Sequence, residues 1–453
     1  MKKSKKQNTT TKIALFAGAA ALMALTPKTQ AQSADALIDK LVDKGILTVK
    51  EAQDLRDEAD KNFNTAFQTK MGTPDWVSGY KFSGDFRGRF EDFTGDNTTF
   101  TDRIRWRYRI RFGVAVSMTD NLEAGLRLGS GDTVGGFATQ TGNPLSNNSS
   151  AQDNGSKKFV YIDTAYGKWT PLNAGNWILS TTIGKMDNPF SLTPMVFDPD
   201  LTPEGLALQS TYNFSDKHSL AFNGAMFMLD EEKTSSHDPL LYGAQVVWNA
   251  NWTSKLQTSL GVSAFDLVNR DMLTTANVPF VNQGNTRNGL GALVNNYNPI
   301  IADASVIYKL DSFPFYTGVF PIKLAAEYMN NPGAPSNNEG YWGGITFGKS
   351  GTKHTWDISY RYEYLQADAW YDQLVDDDNG AFYQNAPVNG STGYFGGTNI
   401  KGHLVKFNYS FNDALTFSFT WFMNDLISPN LNATLGEPQN NAMHLMADLS
   451  WKF

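Results

Sequence analysis

Polar and apolar residues alternate at period two along much of the chain. The clearest segment spans 102–112, where Arg103, Arg105, Arg107, Arg109 and Arg111 hold the odd positions. Ile104, Trp106, Tyr108, Ile110 and Phe112 hold the even ones. Successive side chains of a strand point to opposite faces, so this pattern predicts a strand with one guanidinium face and one apolar face. A helix would scatter the arginines around its circumference. The same alternation sets Phe82, Phe86 and Phe90 against Asp85, Arg87, Arg89 and Glu91, and Leu122, Ala124, Leu126 and Leu128 against Glu123 and Arg127. Further on, Trp356, Ile358, Tyr360, Tyr362 and Tyr364 oppose Asp357, Arg361 and Glu363, and Leu415, Phe417, Phe419 and Trp421 oppose Thr416, Ser418 and Thr420.

Reading every such segment predicts sixteen strands: 79–91, 102–117, 120–130, 157–169, 176–186, 205–213, 217–229, 239–250, 253–265, 299–309, 320–329, 339–348, 352–365, 398–410, 413–424 and 441–453. Their lengths suit tilted strands that cross a bilayer, which need ~9–11 residues each. Odd-numbered gaps are long, among them 131–156, 266–298 and 366–397; even-numbered gaps are short, such as Met118-Thr119, Asn251-Trp252 and Asn412. Long loops at one end and short turns at the other are the mark of an outer-membrane barrel, and an even strand count leaves both barrel termini at the turn end. A soluble sandwich could also bury the apolar face and leave the arginines on an exposed edge, but it gives no reason for the parity of the gaps. The fold class expected is all-β, a transmembrane antiparallel barrel over 79–453. The parity places loops 131–156, 266–298 and 366–397 outside the cell, open to added protease.

The front of the chain is written differently. A basic start, an apolar run from Ile13 to Leu25 and small or polar residues at Thr29, Gln30 and Ala31 form a secretory signal peptide over 1–31. That run is too short for a helical membrane anchor, which needs ~20 residues. In 32–63, Leu37, Leu41 and Val42 share a helical stripe that Gly45 breaks; Thr48-Val49-Lys50-Glu51 is a capping box, and Ala52, Leu55 and Ala59 continue the stripe. This predicts a short periplasmic helical segment, joined to the barrel by a linker over 64–78.

Composition narrows the class. Residues 1–31 hold six lysines and no acid, so their removal takes the formal charge from −7 to −13. That balance speaks against a nucleic-acid binder, whose domain is usually strongly basic. With no cysteine, neither disulfides nor a lipid-modified N-terminal cysteine is available. After the signal no run of 18 apolar residues occurs, which excludes a helical membrane protein. The chain instead carries 59 aromatic residues and 39 glycines between its patterned segments.

The last segment, Met443 to Phe453, alternates and finishes on phenylalanine; it resembles the terminal strand read by the machinery that assembles outer-membrane barrels. The succession LVDKGILTVKEAQDL, RIRWRYRIRFGVAV, NLEAGLRLGSG, IDTAYGKW and GKMDNPFSLTPMVFDPDLTPEG resembles the bacterial family labelled "putative porin", and more distantly the phosphate-selective porins. The resemblance implies an outer-membrane channel, a homotrimer, and a third loop folded into the lumen. That loop would be Asp187 to Glu204, with acids Asp187, Asp198, Asp200 and Glu204 stiffened by Pro189, Pro194, Pro199 and Pro203. The pore wall opposite it would carry Arg87, Arg89, Arg103, Arg105, Arg107, Arg109, Arg111 and Arg127. The alternative is an ordinary exposed loop. A barrel of sixteen strands leaves room for an aqueous channel, so passive diffusion of small hydrophilic solutes or ions leads. A solute-specific, anion or phosphate-type channel and a non-conducting structural or adhesive barrel stand as alternatives. An outer-membrane enzyme would need a nucleophile and base that cannot be assembled here.

No cofactor is expected. Gly343 to Ser350 matches the phosphate-loop pattern GxxxxGK[ST], but that chemistry needs a helix to follow, and the next segment alternates as a strand. Histidines 218, 237, 354, 403 and 444 lack metal-ligand spacing. Asp376-Asp377-Asp378-Asn379-Gly380 could hold a cation but reads more simply as a solvated acidic turn.

Overall fold

A computed structural model describes residues 74–95, 102–132, 145–155, 157–233, 235–279, 283–382, 395–428 and 441–453. The signal peptide, the helical segment 32–63 and linker residues 64–73 lie outside the described residues. Sixteen long strands form the wall: β1 Val77–Gly95, β2 Arg103–Met118, β3 Leu122–Gly131, β4 Phe159–Ala174, β5 Trp177–Lys185, β6 Glu204–Ser215, β7 His218–Met228, β8 Leu240–Asn251, β9 Leu256–Val268, β10 Ile300–Leu310, β11 Phe320–Asn330, β12 Glu339–Gly348, β13 Thr355–Leu365, β14 Ile400–Ser410, β15 Leu415–Leu426 and β16 Asn441–Lys452. Each of these pairs antiparallel with the next. β16 returns to β1, with Lys452 opposite Asp85 and Ala442 opposite Gly95, so the sheet closes without an edge. A two-residue strand, Ser149–Ser150, adds to β2 at Tyr108 and Arg107.

Every predicted strand is present, within a few residues at its ends. β1 starts at Val77, inside the stretch read as linker. One turn-end connection, 311–319, is longer than its counterparts. Its Phe313 and Tyr316 pack on Phe320 at 4.0 and 4.9 Å between ring centroids. The phosphate-loop match ends in such a turn: Gly348 takes φ +80°, a conformation that favours glycine, and β13 follows instead of a helix.

Side-chain direction follows the alternation. On β2, Ile104 and Trp106 are 64% and 63% exposed on the outer face, while Arg107 on the inner face is 6% exposed. Aromatic side chains cluster around the short-turn end, where Trp177 packs on Tyr212 at 4.6 Å, Phe86 on Trp451 at 5.5 Å and Tyr409 on Phe411 at 5.1 Å. Amphipathic rings at that level form the interfacial girdle of a membrane barrel. Closure depends on the last residue: the Phe453 N–H donates to the Gly84 carbonyl at 3.0 Å, and the Gly84 N–H donates back at 2.8 Å. A Cβ at Gly84 would lie 2.4 Å from the Phe453 ring, so glycine is required for that close approach.

The loop end departs from expectation. Loops 266–298 and 366–397 were expected to stand open outside the barrel, and the acidic turn 376–380 to be solvated. Instead Trp370, Tyr371, Leu374 and Val375 join Leu273, Val278, Leu293 and Tyr297 in one buried apolar cluster with Phe190, Met195, Val196 and Phe197 of the third loop. Strand residues Phe227, Phe265, Ile301, Met329 and Leu365 complete it. Burying that apolar surface outweighs the exposure preferred by the surrounding acids, which are satisfied by backbone donors. Asp368 accepts from the Thr286 N–H and the Tyr297 hydroxyl, and Asp372 from the N–H groups of Gln283 and Asn285. Asp372 also pairs with Arg287 at 3.3 Å, both side chains being inaccessible to solvent. Among the described loop residues, the tip around Leu290 stays open.

Candidate functional site: the lumen wall and its inward loop

The arginine ladder lies on the inner face because β2 has its apolar face outward. Its charges are matched mainly by acids on neighbouring strands. Asp85 on β1 accepts from Arg109 Nη2 at 2.9 Å and from Arg111 Nε at 2.7 Å. Glu91, fully buried, takes a hydrogen bond from Arg105 Nε and stands 3.5 Å from both Arg89 and Arg107. Arg89 donates two parallel bonds to Asp448 on β16 at 2.7 and 2.9 Å, across a directly registered strand pair. Arg87 donates to Asn148 at 2.7 Å, and Arg103 shares the inward parity of the ladder. Arg127 on β3 bonds Asp163 and, at 2.7 Å, Asp187. Fork-shaped guanidinium–carboxylate pairs of this kind fix direction as well as charge.

The segment 186–203 crosses the barrel interior. Near its start Asp187 meets Arg127 on β3, and Ser191 exchanges two hydrogen bonds with the Gln245 side chain on β8 at 2.9 and 3.1 Å. Thr193 hydrogen-bonds Glu327 on β11 through its hydroxyl, and its N–H reaches the same carboxylate at 3.4 Å. The return limb docks on the 366–382 loop: the Trp370 indole donates to the Val196 carbonyl at 2.7 Å and the Asp198 N–H to the Leu374 carbonyl at 2.7 Å. It ends with Asp200 3.2 Å from Arg109 on β2.

The four acids assigned to this loop therefore part ways. Asp187 and Asp200 face ladder or wall arginines. Asp198 is buried against Asp376 and Asp377, and accepts the Asp377 and Asp200 N–H groups at 3.0 and 2.6 Å. Glu204 opens β6 and pairs with its register neighbour Lys185 at 3.2 Å, away from the ladder. Burial first, then Asp377 and Asp376, pushes the Asp198 carboxyl well above the ordinary range; burial and Asp378 do the same to Asp376. Burial also acts against the Asp200 charge, but Arg109 leads a set of guanidiniums that holds its carboxyl below the ordinary value.

Past the end of the ladder, beside the start of the inward loop, lies a cavity of about 220 Å3 lined by Lys81, Ser83, Glu123, Arg127, Tyr166 and Asp187. Charges of both signs thus meet in a confined polar space, which can orient a hydrophilic solute. Sequence reading missed Asp448, Asp163, Gln245 and Glu327 as partners. Inward parity on their strands was the available signal; which residue each would face was not.

Residues 94–287 match the profile of the family described as "Putative porin". No curated protein matches the sequence. Among solved structures, a high-pH structure of Pseudomonas putida OprB aligns with 83% of this chain and 94% of its own at 13% identity and a TM-score of 0.48. A Rhodopseudomonas blastica porin triple mutant aligns with 83% of this chain and 100% of its own at 10% identity and a TM-score of 0.40. The match over residues 94–287, which hold most of the ladder and the whole inward loop, makes this part of the chain similar to the putative porin family.

Proposed function

We propose that the chain is an outer-membrane porin: a channel for passive diffusion of small hydrophilic solutes or ions, in which loop 186–203 sets the constriction and the arginine ladder lines one wall. The observation that carries this reading is the Arg109–Asp200 contact at 3.2 Å, where the inward loop brings an acid onto the inward guanidinium face of a closed barrel. The similarity of residues 94–287 to the putative porin profile supports a channel rather than an enzyme. The signal peptide would route it to the periplasm, the assembly machinery would read its terminal strand, and the resemblance supports a homotrimer in outer-membrane lipid. Planar-bilayer recording of the purified protein tests the function: stepwise, ohmic conductance supports it, and a silent bilayer despite folded, inserted protein supports the non-conducting barrel.

A narrower reading, a channel preferring anions, is favoured by one feature. Arg111 and Arg127 keep 23% and 24% of their side chains accessible on the inner face, where a passing anion can meet a guanidinium that is always charged. Permeability ratios in salts of one cation and varied anions distinguish it from general diffusion.

A further inference from the structure

Three ligand-type side chains distant in sequence converge near the loop end of the barrel. Glu91 on β1, His444 on β16 and Asp378 on the inward 366–382 loop each present an atom within 4.8 Å of the other two. His444 is 1% exposed, and its ring is clamped between its two register partners. Phe93 stacks on it at 4.0 Å and Phe422 at 5.8 Å. His444 Nδ1 lies 3.0 Å from the Asp378 carbonyl oxygen. A carbonyl only accepts, so in the neutral ring Nδ1 carries the proton and Nε2 presents its lone pair. That Nε2 has no hydrogen-bond partner although it is buried, and it stands 3.9 Å from Glu91 Oε1. An imidazole fixed through one nitrogen by a backbone carbonyl, with the other free beside two carboxylates, is how proteins orient a histidine toward a metal ion.

We propose that Glu91, Asp378 and His444 form a binding site for a divalent transition-metal ion, which fastens the 366–382 loop to the barrel wall. The site goes beyond the diffusion channel and does not depend on it. One nitrogen and two carboxylate donors suit zinc and leave one tetrahedral position open. Around such an ion, with bonds of ~2.0–2.2 Å, neighbouring ligand atoms sit about 3.3 Å apart. Loading therefore draws the partly exposed Asp378 toward the wall. Three guanidiniums bear on the site: Arg89 lies 3.3 Å from Asp378 Oδ2, and Arg89, Arg105 and Arg107 all contact Glu91. They balance the carboxylate charge and oppose a further cation. Arg89 is itself neutralised by Asp448. The affinity is consequently moderate.

The test is titration of the full folded chain in detergent with zinc chloride against a chromophoric chelator. The parent takes up one zinc per chain in the micromolar range. His444→Phe, which preserves the stacked ring, and Asp378→Asn, on the partly exposed loop, each weaken uptake at least tenfold. X-ray absorption of the loaded parent shows one imidazole ligand. A parent that takes up no zinc overturns the site, as does equal uptake by the parent and by either weakened variant that migrates as a folded barrel.

Discussion

Thr193, at the far reach of the inward loop, hydrogen-bonds the buried carboxyl of Glu327 on the opposite wall. The loop is thereby a strut anchored at both ends, with Asp200 on Arg109 at the other. A hydrogen bond of this kind contributes ~0.5–1.5 kcal/mol net. Thr193→Val should release the tip while leaving the barrel closed. The expected result is a larger and noisier single-channel conductance with unchanged heat-modifiable migration. Conductance identical to the parent in mean and variance would show that this anchor does not set the constriction.

The clasp between the two inward loops should respond to pH. Asp198 and Asp376 have carboxyls raised by burial and by each other's acidic neighbours, so the folded state holds protons that the unfolded chain has released. Folded states that bind more protons lose stability as pH rises. The contribution is present at pH below the ordinary carboxylate range and is lost as pH rises through the elevated folded values. Asp200, held low by Arg109, acts in the opposite sense at acid pH. Limited proteolysis across a pH series should find the 366–382 loop better protected in mildly acidic than in alkaline buffer, with Asp376→Asn flattening the trend. Protection that rises with pH in the parent would contradict the assignment.

Phe453 closes the ladder through two backbone bonds to Gly84. Its deletion should reduce the yield of folded, heat-modifiable protein in the outer membrane and leave misassembled chain in the periplasm. Channels that do form should conduct like the parent. Normal yield on deletion would remove Phe453 from assembly.

The wall was legible because each strand states its own two faces. Ile104, Trp106, Ile110 and Phe112 could not share lipid with five arginines, since an arginine at the bilayer midplane costs ~2–4 kcal/mol. The polar faces were legible in the same way, so Asp85 and Glu91 stand on the ladder side as their parity requires. The inward packing of 366–382 was not read, although Trp370, Tyr371, Leu374 and Val375 within one acidic loop are more apolar surface than an open loop usually shows. Nor could the meeting of Glu91, Asp378 and His444 be read, because it depends on closure of β16 onto β1 and on a loop returning into the barrel.

The central claim is that charged walls line the conducting path, and reversal potential under a salt gradient measures it most directly. Arg105 and Arg107 are poor sites for the test, since removing them leaves the buried Glu91 short of partners, and breaking such a pair costs ~3–5 kcal/mol. Arg111 and Arg127 are more accessible, and Asp187 is 71% exposed. Replacing both arginines with glutamine should shift the reversal potential toward cation preference, and Asp187→Asn should shift it toward anion preference. Both variants should fold as the parent does. If neither variant moves the reversal potential, ions do not pass along the ladder, and the constriction described here is not the conducting path.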